Sequence, residues 1–589
     1  MIGRAYYGLL ACVVVLPAMA QTSVPFIYSA LNSANYSSTL AQGSLFVVFG
    51  TGIGPAQYTG ATSLPLPPQL GGTSISVTSG TTTLICPMVY SLLGTAAAIL
   101  PSNTPTGPAT VTLTFNKVVS PFPAQVTVVP SAIGLYTSSS SGLGPGPVTA
   151  LNGVLKTFAA ASKSSDIATV WGTGLGPISG PDANVPSAFP NFPGVEVFVG
   201  TQSAKVIYAG RSGCCVGVDQ ISFEVPSGVA GCFVPLAVRT SGGISNFISF
   251  AVSNDGGPCS DAAPTIPVNL MNQAAAGQSI TAAAFAVGPT SVLRALGFEQ
   301  RNFLAARLSQ LLHVQVSPED VAKLLLAGQT HDRRALRRAM AKYAKSLRAL
   351  DPASKAEISA AVNLTMEGAY AAFKQYTAPA TVAAAVSGLF PSQGTCTVQT
   401  PLTASAQRTS TGLDAGSSLT LSGQAGAWTL TQNHTGQYQV AFGSAPIGQD
   451  VAPGAYTISS AGGSDLKAFS ATLKIAADIV WTNKAGISTI DRSQPLTLNW
   501  SGGTSPASVL IGGYIASETT QFVGFVCVED AGKGTFTIPS FILSALPPAE
   551  TGGAMFIAAH PLSQPVTIPG VDLAYAINGS SDSESVVYQ

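Results

Sequence analysis

Charged side chains are scarce in this chain: lysine and arginine number 26, aspartate and glutamate 26, and together they make 9% of 589 residues. A formally neutral chain with a pI near 6.9 has no global field with which to gather nucleic acid. Histidine is scarcer still. His313, His331, His434 and His560 are scattered with no HExxH or HxH setting, so zinc hydrolysis lacks a ligand set. No GxSxG elbow supplies a serine nucleophile, and no DxDxDG loop offers calcium a seat. No run of about 18 apolar residues follows the N-terminal segment, which leaves no candidate transmembrane helix. A glycosidase needs only two carboxylates, which distant strands can supply. The acids of the β-rich parts, Asp219, Glu224 and Asp491, read instead as solvated turn or edge residues, and Asp414 and Asp450 as Asx-type turn formers.

Glycine (61) and proline (41) are abundant, and mean hydropathy is +0.36. The chain is long enough for several cores, and an apolar fraction of 46% can fill them. One phrase occurs twice, FVVFGTGIGP at Phe46–Pro55 and ATVWGTGLGP at Ala168–Pro177. Each copy is a β-branched and aromatic run stopped by alternate glycines and a proline, which predicts a strand entering a tight turn. A dinucleotide cradle would need GxGxxG opening a helix, whereas more proline and loop follow here. Further matching segments, such as SISVTSG and VEVFVGT, point to tandem β-sandwich modules. Phe49 and Trp171 fall at the same place in the two copies, and Trp171 is expected in the core.

Export is expected from the N-terminus, where Arg4 precedes the apolar run Leu9–Leu16 and the small-residue site Ala18-Met19-Ala20. This reads as a signal peptide over residues 1–20, cleaved before Gln21; Leu9-Leu10-Ala11-Cys12 is the alternative, a lipoprotein site. Seven cysteines then remain. In an oxidising compartment they should pair, and they lack the separated CxxC pairs of a structural zinc site. Adjacent Cys214 and Cys215 are badly placed to bond each other, so each is expected to take one of Cys232 and Cys259, leaving two connectivities. Cys396 and Cys527 form a third candidate pair. Cys86 is left over, either as a buried thiol or for pairing between molecules.

The paired GTGxGP strands, ILPSNTPTGPATVTLTF, and the stretch GRSGCCVGVDQISFEVPSGVAGCFVPLAVRTSGGISNFISFAV resemble secreted acidobacterial proteins with tandem immunoglobulin-like or TIG-like β-sandwich repeats, the Solibacter-type C-terminal domain family. The resemblance covers about residues 21–261. It implies fold and export and carries over no catalytic or ligand residue, since the family's function is uncharacterised.

Residues 264–390 depart from the β pattern. Ser291–Leu312 has helical spacing, Ser317-Pro318-Glu319-Asp320 is a helix start, and further helices are expected over Asp332–Leu350 and Pro352–Tyr376. Thirteen of the 26 basic residues lie between Ser291 and Gln375. On the third helix Arg333, Arg334, Arg337, Arg338, Lys342 and Lys345, with Arg348, recur three or four apart, a candidate face for an anionic ligand. A solvated helix face accounts for the same pattern. No aromatic residues interleave with the bases, against single-stranded nucleic acid.

Strand signals return after Cys396, and Trp428, Trp481 and Trp500 in or beside those strands are expected in cores rather than as exposed sugar platforms. The fold expected is therefore mainly β: multi-domain tandem Ig-like β-sandwiches with an inserted α-helical module. Its divisions are a signal peptide (1–20), sandwich repeats (21–135 and 136–263, the second disulfide-rich), the helical module (264–390), and two more sandwiches (391–475 and 476–589). The function expected is adhesion or scaffolding at the cell surface without catalysis or cofactor. An extracellular polysaccharide-acting enzyme, or envelope anchoring through the cationic helix, are the alternatives. Partners would be an extracellular glycan, the envelope surface or another protein. The Pro-rich loops Ala56–Leu70 and Pro177–Pro193 are the candidate contact sites.

Overall fold

The computed structural model describes residues 24–186, 191–261, 278–289, 333–352, 367–376, 391–399, 410–423, 426–442, 453–475, 479–503, 507–515, 523–559, 565–578 and 581–589, with isolated positions in 270–273, 308–323, at 355 and at 505. The expected leader lies outside them.

The first module is a sandwich of two sheets. One runs Phe26–Asn32, Leu45–Thr51, Thr95–Ile99, Met88–Ser91 and Thr59–Gly60 in spatial order. The other runs Thr39–Ala41, Ala124–Val129, Gly107–Phe115, Thr73–Ser79 and Thr82–Cys86, with Val118–Val119 beside it. Alternation sets which face is buried. Thr73, Ile75, Val77 and Ser79 point inward while the residues between them are half-buried. Phe46, Val48, Ala96 and Ala98 meet them from the other sheet, and Val111 and Leu113 extend the same inner face on the neighbouring strand. Each such large side chain contributes about 1.5 to 3 kcal/mol by leaving water.

Cys86 belongs to this core and is fully buried as a free thiol. Its burial, which also pushes its pKa far up, favours the buried-thiol alternative over pairing between molecules. Iodoacetamide should leave Cys86 unlabelled in native protein and label it after denaturation, read by peptide mass; native labelling would contradict the packing.

In the second module the ten-residue strand Gln202–Arg211 joins two sheets. Its first residues pair with Glu196–Val199, the rest pair with Asp219–Glu224, and the register shifts between Val206 and Tyr208. A strand that changes sheet at a bulge is how a sandwich turns its corner. The repeated phrase behaves as expected in both copies: Leu45–Thr51 and Ile167–Thr173 are strands, and left-handed Gly52 and Gly174 end them. No helix follows in the described residues up to 186. Trp171 corrects the expectation made for it. Ala168 and Val170 take the core positions, so the period of two turns Trp171 outward, half-buried, with its indole donating to Thr149.

The expected α-helical module is overturned: the described residues of 264–390 hold two short helices and two strands of a large sheet. Ile280–Pro289 and Glu367–Tyr376 are strands, paired antiparallel along their whole length at the centre of a ten-stranded sheet. The helix expected over Pro352–Tyr376 is thus overturned at its C-terminal half. Ala283, Phe285 and Val287 face Ala369, Ala371 and Phe373 in one core at a spacing of two, and this pairing overrides alanine's helix propensity. Among the described residues between the two strands, the helices of regular length are Arg333–Ala341 and Ala344–Ala349, split at Lys342–Tyr343. Most of Ser291–Leu312 lies outside the described residues.

The remaining strands form two sheet systems that exchange segments. The ten-stranded sheet takes Ser418–Gly423, Gly426–His434, Gln437–Ala441, Gly454–Ser460 and Phe469–Ile475, and then Leu573–Asn578 returns parallel to Ile280–Pro289. The six-stranded sheet takes Thr395–Gln399 beside Val523–Asp530, facing a three-stranded sheet of Val480–Trp481, Leu496–Ser501 and Thr535–Ile538. The expected division at 475 and 476 is therefore crossed by three strands, Thr395–Gln399 in one direction and Pro565–Val566 with Leu573–Asn578 in the other. Trp481 and Trp500 are buried in the last core, and Trp428 packs against Phe442 and Tyr456 in the other. Phe198 of the second module stacks on Phe541 at 4.1 Å, joining that module to the last core.

Candidate functional site

The most constrained polar arrangement in the described residues lies where the first two modules meet. Arg211 ends one strand of a hairpin and Asp219 opens the next, directly opposite in register. Both side chains are almost wholly buried and paired. The remaining guanidinium Nη2 donates to the carbonyls of Gly43, in the first module, at 2.9 Å and Gly176, in the second repeated phrase, at 2.5 Å. Asp219 Oδ2 accepts the Leu175 amide at 2.7 Å. Burial pushes the Asp219 carboxyl up, and Arg211 with the Leu175 and Gly174 amides pulls against it. The expectation of a solvated edge acid at Asp219 is overturned. The alternation that buries Ile221 and Phe223 buries Asp219 too, and a buried carboxylate persists only with partners. Glu224 is more exposed and lies 3.9 Å from Lys205.

Three further contacts lock the joint. Fully buried Asn32 donates to the Thr173 and Ala132 carbonyls at 3.3 and 3.4 Å, while its Oδ1 accepts the Ala34 and Asn35 amides. Thr173 accepts the Leu45 amide at 2.8 Å and donates to the Gly217 carbonyl at 2.7 Å. Asp182 accepts from Ser102 at its amide (2.8 Å) and hydroxyl (2.6 Å). Gly43 sits in the left-handed region, and a Cβ there would stand 2.6 Å from Arg211 Nη2. The loops expected to contact a partner partly contact each other, with the Leu66 amide donating to Ala183 at 2.8 Å. Residues 187–190 lie outside the described set.

The six cysteines expected to pair all do, with a corrected connectivity. Cys232 bonds Cys259, Cys396 bonds Cys527, and Cys214 bonds its neighbour Cys215. Cys232 and Cys259 sit together in a small core with Phe233 and Ala251, whereas Cys214 and Cys215 lie exposed at the hairpin tip. Three disulfides are the usage of an oxidising compartment.

Of the cationic residues, Arg334, Arg337, Arg338 and Lys345 are exposed. Lys342 is paired with Asp320 at 3.0 Å, and Tyr343 donates to the same carboxylate, holding it well below the usual carboxylate range. The Arg333 side chain lies outside the described set. The helix break at Lys342–Tyr343 means that the expected single cationic face is two short ones. His313 and His434 are exposed, His331 and His560 lie outside the described residues, and Asp414 and Asp491 serve turns through Gly416, Ser464 and Ser493. Among the described residues no three His, Cys, Asp or Glu side chains converge, and no helix is long and apolar enough to cross a membrane.

Neither a protein-family model nor a curated protein matches the chain, so the acidobacterial resemblance gains no support there. Solved structures do match, loosely. The plexin A4 extracellular region is 10% identical over 38% of this chain with a TM-score of 0.14, and this chain covers 18% of it. Titin tandem Ig domains A164–A165 are 11% identical over 39% of this chain and 97% of their own, with a TM-score of 0.12. The Yersinia pseudotuberculosis adhesin InvE is 15% identical over 42% of this chain and 65% of its own, with a TM-score of 0.13. Superpositions this loose carry no weight for function.

Proposed function

We propose that this chain is an exported binding or scaffold protein that works by adhesion, without catalysis, through surfaces held at fixed angles by Ig-like sandwich modules. The observation that carries this reading is the joint. Arg211, Asn32, Thr173 and Asp182 commit polar groups to the backbone of the neighbouring module, and Asp219 holds Arg211 in place from within its own, so the first two modules present their faces as one body. A flexible string of domains would leave such groups to water. Three disulfides suit a chain that works outside the reducing cytosol, where the expected signal peptide would send it.

The test is binding of the purified mature chain to a glycan and cell-envelope array, run beside a hydrolase screen. Binding without turnover is the expected result; release of reducing sugar would replace this reading with the enzyme. Binding that vanishes in salt and with R337A/R338A would move the activity to the cationic helices.

A further inference from the structure

One face of the first module is unlike the rest of the molecule. Across residues 21–155 the sole charged side chain is Lys117, and it sits in a hairpin of the opposite sheet. The sheet of Phe26–Asn32, Leu45–Thr51, Thr95–Ile99, Met88–Ser91 and Thr59–Gly60 buries Phe46, Val48, Ala96, Ala98 and Met88 on its inner side. Its outer side therefore carries Phe49, Thr95 and Tyr90 on three adjacent strands. Two strand spacings, roughly 10 Å, separate the strands of Phe49 and Tyr90. Tyr58 joins this row. Gly60 lies opposite Tyr90, and a Cβ on Gly60 would meet Tyr58 Oη at 2.8 Å, so the Tyr58 ring is folded back over Gly60 beside Tyr90, with ring centroids 5.7 Å apart. Tyr58 remains 67% exposed.

At the other end Tyr36 stands 6.2 Å from the Phe49 ring. Its backbone has φ 59, a conformation a bulky residue adopts only under constraint. Asn32 imposes it: the Tyr36 amide donates to the Asn32 carbonyl at 3.0 Å, and the Asn32 side chain is bound into the joint. The Tyr36 hydroxyl then donates to Ser140 of the second module at 2.5 Å. Val47, Ala97 and Ile99 on the same side are buried, so the half-exposed rings of Phe49 and Tyr90 mark the uncovered margin of this face, and a strained aromatic fixed beside such a margin is a mark of a functional site. Tyrosine gives wide, rigid contact area with a polar tip at low entropic cost. Pyranose rings offer C–H faces to stack and hydroxyls to bond, and a neutral one needs no charged partner.

We infer that Tyr36, Phe49, Tyr90 and Tyr58, with Thr95 between them, form a binding strip for an uncharged oligosaccharide. This rests on the adhesion reading and names its ligand class. The experiment is calorimetric titration of the full mature chain with cellohexaose, laminarihexaose, maltohexaose and mannohexaose, and with alginate and heparin oligosaccharides as charged probes. At least one neutral hexasaccharide should bind, with Kd changing less than about twofold between about 0.05 and 0.5 M salt, since no charge pair is there to be screened. Y58A, an exposed site that leaves the fold intact, and Y90A should each weaken binding at least about tenfold, the effect of removing a central aromatic contact. G60A should weaken it too by displacing Tyr58, while R338A should leave it unchanged. Absence of neutral binding, preference for the charged probes, or indifference to Y58A and G60A would overturn the strip. If envelope binding on the array persists in those variants, the strip alone falls and the adhesion reading stands; if the chain binds nothing, both fall.

Discussion

Replacing Arg211 with methionine should cost about 3 to 5 kcal/mol, the penalty of leaving the Asp219 carboxylate buried without its partner. The loss should appear in the second module first. Hydrogen exchange of Ile167–Thr173, the strand paired with Asp219–Glu224, is the local readout, and the urea midpoint of the full chain is the global one. Because Arg211 also donates to Gly43, the variant should loosen the joint and raise exchange at Gly43 and Ser44. D219N should act in the same direction, since it keeps shape but leaves the guanidinium unpaired. The double variant R211M/D219L should recover part of the loss, because it removes the unpaired charge while leaving the Leu175 amide and the Gly43 and Gly176 carbonyls without their partners. A single variant within about 1 kcal/mol of the parent would mean that the pair is solvated in solution, and the rigid joint would go with it.

That pair shows what sequence reading reaches and where it stops. Between Lys205 and Glu224 the only charges are Arg211 and Asp219, and both pairs are placed symmetrically about the glycine and cysteine turn. Nested opposite charges across a hairpin are a readable sign of pairing. Nothing in the chain said that the inner pair would be buried, because burial comes from the first module closing over it through Gly43 and Leu45. The repeated phrase was legible, since glycine's left-handed freedom and proline's stop act locally. Trp171 was misplaced for a reason also readable in the sequence: with Ala168 and Val170 inside, the period of two excludes Trp171. Glu367–Tyr376 was not legible, because its partner, Ile280–Pro289, is distant in sequence and alanine-rich strands carry a helix-like composition. The tyrosine strip depends on Gly60 and on the strained Tyr36, features that appear only when the strands are side by side.

The three disulfides make a graded experiment, because each closes a loop of different length. Cys396 and Cys527 face each other across paired strands with 131 residues of separation, Cys232 and Cys259 with 27, and Cys214 and Cys215 with 1. If each bond acts by restricting the unfolded chain, loop entropy puts the first at about 5 kcal/mol, the second at about 3.5, and the third near zero. C396A/C527A should therefore be the most destabilising of the three paired replacements in urea unfolding, C232A/C259A intermediate, and C214S/C215S within about 0.5 kcal/mol of the parent, as for a surface change. The largest effect has a structural reason beyond loop length. The enclosed segment includes the strands from Ser410 to Ile475, which belong to the neighbouring ten-stranded sheet. Without the bond, Thr395–Gln399 is an edge strand held by one neighbour, and its release would free the strand exchange that ties the two C-terminal sheet systems. An inverted order, with C214S/C215S the most damaging, would mean that the exposed hairpin tip, not chain closure, sets stability, and would point back to the joint that this tip abuts through Gly217, Leu45 and Ile99.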